Sequence, residues 1–527
     1  MGPGTRGLAT SAGAAVMASA PTAAVVGVDM GTQTTKVQVV ALDGRPLSAA
    51  NVATRLHQPN PTVAEQDPAE LERGVLDAIR AAVAQAPDDV DVHAVGVDGQ
   101  MGGALAVDAA FAPLTPYESW LDTRADDDRS RILDLHGANI LSAGGIIPFV
   151  GPRVMLWLRE NPNLARRIAK VLAPTGFITG RLTGARADQA TCDRTQAHLF
   201  GCFDVPAGRW HTGLTSAVGL REEWLPHVVD PLDIVGGLTP EAAAHCGLPS
   251  GIPVAAGLGD GTAGWVAAGA FTPGSCVDTG GSSEHFAVTV GRFAPDPYPG
   301  TLLTCMPSAM PGRFHLFGFT AGTGLTRRWW TDLAARGDYA ALDAEAVDVA
   351  PRMDAVLAIP HLFGMLTPFD PHMRAAFVGC DGSTTAAEMY RALAEAMAFE
   401  FRTWIDHATA LVPDGSRPRY AVAIGGAAQS AVNARIKADV LGIPYVRMQP
   451  HVNAARGAAI AAAAAIGDRA LDSSAWQDEG RDVLDRYVPD TAVAEVYSER
   501  SARYRRLVAA MRPLYDAWAT GAPRREG

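Results

Sequence analysis

Several features are scarce in this sequence, and each scarcity argues against a class of protein. Six cysteines occur in 527 residues and none forms a C-x-x-C pair, which argues against a zinc site or a disulfide framework and favours a reducing compartment. Lys and Arg number 44 against 56 Asp and Glu, a formal net charge of -12. No basic face is therefore predicted for binding nucleic acid or an anionic membrane.

Long apolar runs are also missing. Beyond the N-terminus, no stretch approaches the roughly 20 apolar residues that a membrane span requires. The uncharged stretch Leu8–Val28 follows Arg6, as in a secretory signal, but it is mostly Ala, Gly, Ser and Thr. We therefore expect residues 1–22 to be a disordered tail, with Met1 or Met17 as the start, and the protein to be soluble and cytoplasmic.

What is present is an alternation of strand and helix patterns. The apolar runs Ala24–Met30 and Lys36–Leu42 flank a polar turn and predict a hairpin. Asp67 and a following proline predict a helix from about residue 68 to 85, and Val92–Val97 is the next strand. With 48% hydrophobic and 19% charged residues, a chain this long predicts two α/β domains.

An internal echo links the two halves of the chain. The segment Val28–Thr32, VDMGT, returns as Val277–Gly281, VDTGG, and each copy lies between apolar runs. Both halves are therefore predicted to open with a hairpin whose turn is rich in glycine and hydroxyl groups. Two unrelated glycine turns would give the same pattern.

The first of these turns has the composition of a phosphate site. Phosphoryl transfer requires amides and hydroxyls for phosphate oxygens, a carboxylate for Mg²⁺ and a base near the acceptor hydroxyl. The turn Gly31–Lys36 could surround the β- and γ-phosphates, and Asp29 at the strand end could face the metal. A polar hairpin with an inward aspartate is the alternative.

Two later strands also end in glycine-rich loops. Ile252–Leu258 runs into Gly259–Gly264, where Asp260 is the candidate general base; a turn aspartate capping a helix near Thr262 is the alternative. Tyr420–Ile424 runs into Gly425–Ser430, where a glycine pair admits adenine or phosphate against the backbone. The first turn lacks the G-x-G-x-x-G pattern, so a Rossmann oxidoreductase is not indicated.

In this order the motifs resemble those of the FGGY carbohydrate kinases, relatives of actin, hexokinase and Hsp70. The resemblance covers about residues 24 to 466 and is closest to the xylulokinase-like group. The matching segments are D-x-G-T-x-x-x-K at Asp29–Lys36, E-Q-D-P at Glu65–Pro68, G-Q-M at Gly99–Met101, W-x-D-x-R at Trp120–Arg124, G-D-x-x-A-G at Gly259–Gly264, G-G-x-x-x-S at Gly425–Ser430 and A-D-V-L-G-I-P at Ala438–Pro444.

The resemblance implies two actin-like, ribonuclease H-like α/β lobes around a central cleft. After the tail, it implies a sugar-binding lobe over 23–270 that carries the base, a nucleotide-binding lobe over 271–500, and a C-terminal helix and tail over 501–527. It implies transfer of the γ-phosphate of ATP to a hydroxyl of a small sugar, with ATP and Mg²⁺ as cofactors. A homodimer is the family-based expectation.

The resemblance also implies a role for each matching residue. Asp260 is implied as the general base and Asp29 as the residue that positions metal and phosphates. The implied sugar-binding residues are Gln100, Met101, Trp120 and Asp122, together with Asp260. The implied ATP-binding residues are Thr32, Thr34, Thr35, Lys36, Gly280, Gly281, Ser282, Gly322, Thr323, Gly425, Gly426 and Ser430.

Two departures from the family pattern affect the substrate prediction. Gly102 stands where xylulokinases carry histidine, so we expect a missing hydrogen bond to the sugar and a locally wider pocket. Gly281 stands where the family usually has threonine, so a hydroxyl contact must come from Ser282 or Ser283. A ketopentose such as xylulose is the expected substrate, and ribulose, a tetritol, glycerol or gluconate are alternatives.

Two other classes fit parts of the pattern. An actin-like or Hsp70-like ATPase would hydrolyse ATP without a sugar, and a sugar-binding regulator would be catalytically idle. The Gln100–Met101 loop and Asp260 favour the kinase over the ATPase, and the presence of Asp29, Lys36 and Asp260 argues against the regulator.

Overall fold

The computed structural model describes residues 20–280, 283–320, 322–335, 337–415 and 417–521. Most of the predicted tail, residues 1–19, lies outside the described residues, as do Gly281 and Ser282 of the second predicted turn. The described residues are organised around two mixed sheets of seven strands each.

The first sheet begins with the predicted N-terminal hairpin. In chain order its strands are β1 (Thr22–Met30), β2 (Thr34–Ala41), β3 (Pro46–Ala53), β4 (Val90–Gly99), β5 (Ile234–Gly237), β6 (Pro253–Ala255) and β7 (Leu258–Gly259). Across the sheet the order is β5-β6-β4-β1-β2-β3, and β7 also pairs with β4. Strands β1, β2 and β3 are antiparallel, whereas β4 runs parallel to β1 and β6 parallel to β4.

The second sheet begins with the second predicted hairpin. Its strands are β8 (Cys276–Gly280), β9 (Glu284–Val290), β10 (Thr304–Pro307), β11 (Phe314–Thr320), β12 (Ala421–Gly425), β13 (Tyr445–Met448) and β14 (Val483–Tyr487). Their order is β10-β11-β9-β8-β12-β13-β14. Strands β8, β9 and β11 are antiparallel, β12 runs parallel to β8, and β13 parallel to β12.

The two sheets therefore repeat one arrangement. Three antiparallel strands, β1-β2-β3 or β8-β9-β11, are followed by two parallel ones, β4 and β6 or β12 and β13. The echo between Val28–Thr32 and Val277–Gly281 marks equivalent strands of the two sheets, which is the arrangement expected of two ribonuclease H-like lobes. The alternative of two unrelated glycine turns does not explain this common strand order.

Helices of eight residues or more connect and cover the sheets. They are α1 (Pro68–Val83), α2 (Asp126–Gly144), α3 (Val150–Glu160), α4 (Pro174–Thr183), α5 (Asp260–Ala267), α6 (Thr323–Ala335), α7 (Tyr339–Val347), α8 (Ala386–Leu411), α9 (Ala431–Leu441), α10 (Ala454–Ala465) and α11 (Ala494–Gly521). Shorter helices are Arg194–Ala197, Thr212–Thr215, Pro240–Cys246 and Glu479–Asp482. Two-stranded pairs are Glu65–Gln66 with Tyr117–Glu118, Leu105–Val107 with Lys170–Leu172, Thr191–Asp193 with His227–Val229, Phe203–Asp204 with Arg209–Trp210, Leu357–Ile359 with Ala376–Val378, and Met365–Leu366 with Phe369–Asp370.

Helix α1 forms for the reasons that its sequence predicts. The Asp67 carboxylate accepts hydrogen bonds from the backbone N–H groups of Ala69 and Glu70, at 2.7 and 3.2 Å. Pro68 occupies the first turn, where its missing N–H costs nothing. One face of the helix, carrying Leu71, Val75 and Ile79, is buried. Its observed end at Val83 is close to the predicted end at residue 85.

Helix α10 lies in the second half of the chain but packs on the first sheet. Its alanines share a core cluster with Val25 of β1, Ala94 of β4 and Ala263 of α5. Close approach requires glycine on both sides, because a methyl group on Gly27 would overlap the Ala455 carbonyl and one on Gly457 would overlap the Ala263 carbonyl. The small alanine side chains allow this close packing, and the helix joins the two halves of the chain.

Three further findings concern the chain as a whole. Helix α11 starts at Ala494 and runs through the boundary predicted at residue 501. All six cysteines are unpaired, and Cys380 alone is exposed. Within the described ranges, the helices are too short or too polar to span a bilayer.

Candidate active site

Three carboxylates meet where parallel strands of the first sheet end. Asp29 near the end of β1 and Asp98 near the end of β4 are register partners. Strand β7 pairs Leu258 with the same Asp98, and Asp260 follows directly after this strand. The carboxyl ends of parallel strands are the usual place for a ligand in such sheets. The structure therefore brings together the two predicted catalytic residues, Asp29 and Asp260.

Asp260 is the first residue of α5. Gly259 is the N-cap, so the alternative in which Asp260 caps a helix starting near Thr262 is wrong. Its carboxylate accepts a hydrogen bond from the Gly261 N–H at 2.7 Å. Burial and the nearby charge of Asp29 raise the pKa of Asp260 to about 7. A carboxylate with this pKa is suited to accept a proton from a hydroxyl group near neutral pH.

Asp29 is paired with the lysine of the first hairpin. The Lys36 ammonium lies 3.6 Å from the Asp29 carboxylate, and the two residues face each other across β1 and β2. Burial raises the pKa of Asp29, and the charge of Lys36 opposes this shift. Because the Lys36 side chain is 49% exposed, it can reach a phosphate in the cleft. Thr34 lies on the same face of β2 as Lys36.

Thr35 lies on the opposite face of β2 from Lys36, so its predicted role in ATP binding stays a prediction that its position does not support. It pairs with Met30, is buried, and its hydroxyl lies 3.3 Å from the Thr54 hydroxyl. Side chains alternate between the faces of a strand, so Thr35 packs toward α1 while its neighbour Lys36 faces the carboxylates. The polar sequence of the turn could not distinguish the two faces.

Predicted sugar-binding residues form a hydrogen-bonded network beside the carboxylates. The Gln100 side-chain carbonyl accepts from the Ser119 hydroxyl at 3.0 Å and the Thr32 hydroxyl at 3.3 Å. The Gln100 amide donates to Gln66 at 2.7 Å, and Trp120 Nε1 donates to the Thr32 hydroxyl at 3.3 Å. Thr32, predicted to contact ATP, therefore lies with the sugar-binding candidates. Gln66 and Ser119 were missed, although Gln66 lies within the matching segment Glu65–Pro68 and Ser119 directly precedes Trp120.

Asp122 occupies a different environment from its neighbour Trp120. It is buried, and its carboxylate accepts from the Ala64 N–H at 2.9 Å and from Arg124 Nε at 3.0 Å. Arg124 also bonds Glu65 and Glu118. The sugar contact predicted for Asp122 stays a prediction; in the structure its oxygens join the loop to Arg124 and Ala64.

The loop Met101–Gly102 is closely packed. The Met101 side chain lies against Gly259, where a methyl group would come within 2.5 Å of its sulfur. Gly102 has φ = +80°, and a methyl group there would lie 3.0 Å from the Phe149 ring. The expected widening of the pocket at Gly102 is therefore not found, because Phe149 occupies the adjoining space.

The predicted nucleotide loops meet at the ends of β8 and β12. Gly280 and Gly425 are register partners, and a methyl group on Gly280 would overlap the backbone of Ala427. Gly426 follows at the start of a 3-10 turn. Ser430 caps α9, accepting from the Asn433 N–H, and donates to Asp343 at 2.9 Å.

The remaining nucleotide candidates lie at the start of α6 and in the second turn. Gly322, at φ = +69°, directly precedes α6, which Thr323 begins. Gly281 and Ser282 lie outside the described residues.

A buried charge cluster supports the second hairpin. Lys437 of α9 is paired with both Asp278 of β8 and Glu284 of β9, and the Tyr445 hydroxyl donates to Asp278. The Lys437 ammonium also lies 4.7 Å from the centre of the Phe401 ring. The cluster joins both strands of the hairpin to the helix that follows Gly425–Ser430. It was missed because its members are far apart in sequence.

Asp98 was also missed as a site residue. It is completely buried, no hydrogen-bond donor of the described residues reaches its carboxylate, and the Asp29 carboxyl group lies within hydrogen-bonding reach of it. Burial and the charges of Asp29 and Asp260 hold its pKa well above the ordinary value. Carboxylate oxygens are the ligands that Mg²⁺ prefers, so Asp29 and Asp98 together could hold such a cation. One signal was available: VGVD occurs at 26–29 and again at 95–98.

Comparison with known proteins gives one consistent result. The N-terminal domain model of the FGGY family of carbohydrate kinases matches residues 24–267, and the C-terminal domain model matches 279–466. The xylulose kinase of Escherichia coli K12 is 28% identical over 496 residues, covering 93% of this chain and 99% of that protein. A glycerol kinase of Leptothrix cholodnii is 29% identical over 483 residues, covering 86% and 94%.

A solved structure agrees over the whole fold. The crystal structure of xylulose kinase from Rhodospirillum rubrum has a TM-score of 0.83 and 28% identity, and the match covers 94% of this chain and 100% of that one. The predicted family, the two-lobed fold and the enzyme class are thereby confirmed. The chain belongs to the FGGY family of carbohydrate kinases, which phosphorylate sugars with ATP.

Proposed function

We propose that this enzyme transfers the γ-phosphate of ATP to a hydroxyl of a ketopentose such as xylulose. The observation that carries the proposal is the position of Asp260, a carboxylate with a pKa of about 7 beside Asp29 and Lys36. The similarity to xylulose kinases over 93% of the chain supports a ketopentose as substrate.

In the proposed mechanism, Asp260 accepts the proton of the attacking sugar hydroxyl as its oxygen approaches phosphorus. Thr32 and Trp120 orient the sugar, and the buried Gln100 holds Thr32 and Ser119 in place through its side-chain carbonyl. Of this group, Thr32 and Trp120 are the partly exposed members. Their hydroxyl and indole are therefore best placed to meet substrate.

The phosphates are proposed to lie between the two hairpins. Lys36, Thr34 and the backbone of the Gly31–Lys36 turn would hold them from the first lobe, and Gly280, Gly322 and the 281–282 turn from the second. Gly425, Gly426 and Ser430 would border adenine. Mg²⁺, held by Asp29, would neutralise charge on the phosphate oxygens. Closure of the lobes would exclude water and limit ATP hydrolysis.

The test is ADP release with Mg-ATP in the presence of ketopentoses, pentitols, tetritols, glycerol and sugar acids. We expect a large increase with one ketopentose, and none with the same sugar in the Asp260→Asn variant. A main response to glycerol would favour the second candidate, which the Leptothrix glycerol kinase suggests. ATP hydrolysis indifferent to every compound would overturn the proposal and favour an ATPase without a sugar substrate.

We also propose a homodimer, which rests on the family resemblance, and a cytoplasmic location, which rests on the scattered cysteines and the composition of the N-terminus. Light scattering coupled to size-exclusion chromatography tests the first, because a dimer would have twice the 55.1 kDa chain mass.

A further inference from the structure

The repeated VGVD sequence places two aspartates at one point of the first sheet. Strands β1 and β4 pair Val26 with Val95, Gly27 with Gly96 and Asp29 with Asp98. Both glycines lie against α10, since a methyl group on either would overlap that helix. The register is therefore fixed by backbone contact, and it holds Asp98 next to Asp29.

Asp98 differs from the other buried carboxylates of the described ranges. Asp193 accepts from Thr195 and Thr175, Asp278 is paired with Lys437, and Asp482 is paired with Arg456. Asp98 alone has both oxygens buried without a hydrogen-bond donor, and the side chain within hydrogen-bonding reach of it is another acid, Asp29. A buried carboxylate without a donor or counter-charge is costly in free energy, so its retention beside the catalytic candidates requires a physical reason.

The charges around Asp98 indicate that a positively charged partner is missing. Its ionisable neighbours are Asp29, Asp260 and Lys36, so three carboxylates face one ammonium. That ammonium lies 3.6 Å from Asp29 and is half exposed. A divalent cation would supply both the missing charge and a partner for the free oxygens of Asp98.

We propose that Asp98 acts with Asp29 in a two-carboxylate cation site of the first lobe, binding the ion directly or through a water molecule. The inference deepens the proposed kinase function, because the cation is the one that accompanies ATP. It further implies that the first lobe binds the ion before either nucleotide or sugar arrives, since both carboxylates are fixed by the β1–β4 register.

Binding of Mn²⁺ to the full-length protein without ATP or sugar tests the proposal, with the electron paramagnetic resonance signal of free Mn²⁺ as the readout. We expect the wild-type protein to bind one ion at this site and Asp98→Asn to bind it at least about tenfold more weakly, as is typical when a residue supporting a metal is lost. Asp98→Ser is a second variant without a carboxylate. Asp91→Asn is the matched control, because exposed Asp91 lies at the other end of the same strand.

A thermal unfolding measurement separates cation binding from a structural role. Without metal, Asp98→Asn should unfold at the same temperature as wild type or higher, because it removes a buried carboxyl group that has no counter-charge. With Mn²⁺ the wild-type midpoint should rise, and the variant midpoint should rise less. Equal Mn²⁺ affinity in wild type, Asp98→Asn and Asp98→Ser, or no binding to the wild type, would overturn the inference.

The experiments distinguish a failure of the Asp98 proposal from a failure of the proposed kinase function. Sugar-dependent ADP release together with unchanged Mn²⁺ affinity would overturn the role of Asp98 alone. Weakened Mn²⁺ binding in Asp98→Asn, in a protein that releases no ADP with any sugar, would overturn the kinase proposal alone.

Discussion

At the scale of single residues, the three carboxylates differ in their surroundings although they lie side by side. Asp29 has Lys36 as a partner, Asp260 has the Gly261 amide, and Asp98 has no donor but only the neighbouring acid Asp29. The pKa of each is raised, first by burial. Of the three, Asp260 alone begins a helix, directly after β7 and where the parallel strands end, and this favours it as the group that meets the sugar.

Replacing Asp260 by asparagine tests this assignment. Asn keeps the shape of the side chain but cannot accept the proton, so we expect kcat to fall by about 10²–10⁴-fold, the usual contribution of a general base. The dissociation constant for ADP should change little, which equilibrium dialysis would measure. Near-normal kcat in a folded variant would remove Asp260 as the base.

Single residues also differ in how well their positions could be predicted from the sequence. Asp29, Lys36 and Asp260 belong to short local motifs, and the structure brings them together as expected. Thr35 and Asp122 belong to equally plausible motifs, but strand alternation places Thr35 on the face of β2 opposite Lys36, and Arg124 bonds the Asp122 carboxylate. Asp98 becomes a candidate only through the β1–β4 register, which is a tertiary feature.

At the scale of elements, the second hairpin depends on one buried lysine. Lys437 of α9 is 3% exposed and is paired with Asp278 and Glu284 on the two strands of the hairpin. The hairpin turn is predicted to contact phosphate, so its position matters for nucleotide binding. Sequence patterns predicted the hairpin, but not the buried charge that joins it to α9.

Replacing Lys437 by methionine should disturb both stability and nucleotide binding. Two carboxylates would lose their counter-charge, and breaking a buried pair costs about 3–5 kcal/mol. We expect a lower urea midpoint and weaker ADP binding by isothermal titration calorimetry. The triple variant Lys437→Met, Asp278→Asn, Glu284→Gln is the control, and it should recover much of the lost stability. Equal urea midpoints for Lys437→Met and wild type would contradict a stabilising role for the ion pairs of Lys437.

A second charged element, the helix Glu479–Asp482, gives a prediction about pH. Asp482 accepts from Arg456, Arg481 and His451, and these bonds hold its pKa well below the ordinary value. A lowered pKa stabilises the fold above the unfolded-state pKa of about 3.9, and this contribution declines as pH falls toward the folded-state pKa.

We therefore expect Asp482→Asn to lower the free energy of unfolding by about 3–5 kcal/mol at neutral pH. The difference from wild type should stay constant between pH 7 and 5 and shrink below about pH 4. Urea denaturation followed by circular dichroism at several pH values would measure it. If the difference in free energy of unfolding between wild type and variant grows on acidification, the pKa of Asp482 is not lowered in the folded protein.

At the scale of the whole molecule, α10 determines how the two halves meet. It covers β1 and β4, the strands that carry Asp29 and Asp98, and it packs on α5, which carries Asp260. Helix α5 in turn contacts the second sheet, where the Trp265 ring lies 4.3 Å from the His315 ring, centre to centre. All three carboxylates thus rest on elements in contact with one helix.

Replacing Gly457 by alanine should displace α5, because the new methyl group would overlap the Ala263 carbonyl. We expect a loss of about 1–3 kcal/mol in stability, as for other overpacked cores. A displacement of 1 Å at Asp260 would also reduce kcat by about 10²-fold. Gly382→Ala is the matched control, because a methyl group there meets nothing within 4 Å. Thermal unfolding and steady-state kinetics on both variants would measure the effects.

The two-lobed architecture could be predicted because hairpin motifs are local and recur in a fixed order. The boundary between the two lobes could be predicted less precisely from the sequence. Helix α10 follows the strands of the second sheet in sequence yet belongs to the core of the first, and α11 crosses residue 501. Apolar composition alone does not say which sheet an alanine-rich helix covers.

The position of α10 in the chain also has a consequence for biosynthesis. Residues are made from the N-terminus onward, so β1 and β4 leave the ribosome long before Ala454–Ala465 exists to cover them. The apolar face of the first sheet therefore stays uncovered by α10 until most of the chain has been translated. A nascent or truncated polypeptide that ends before this helix would present that face to chaperones or to other chains. The first half of the gene therefore does not encode a unit that can complete its own fold.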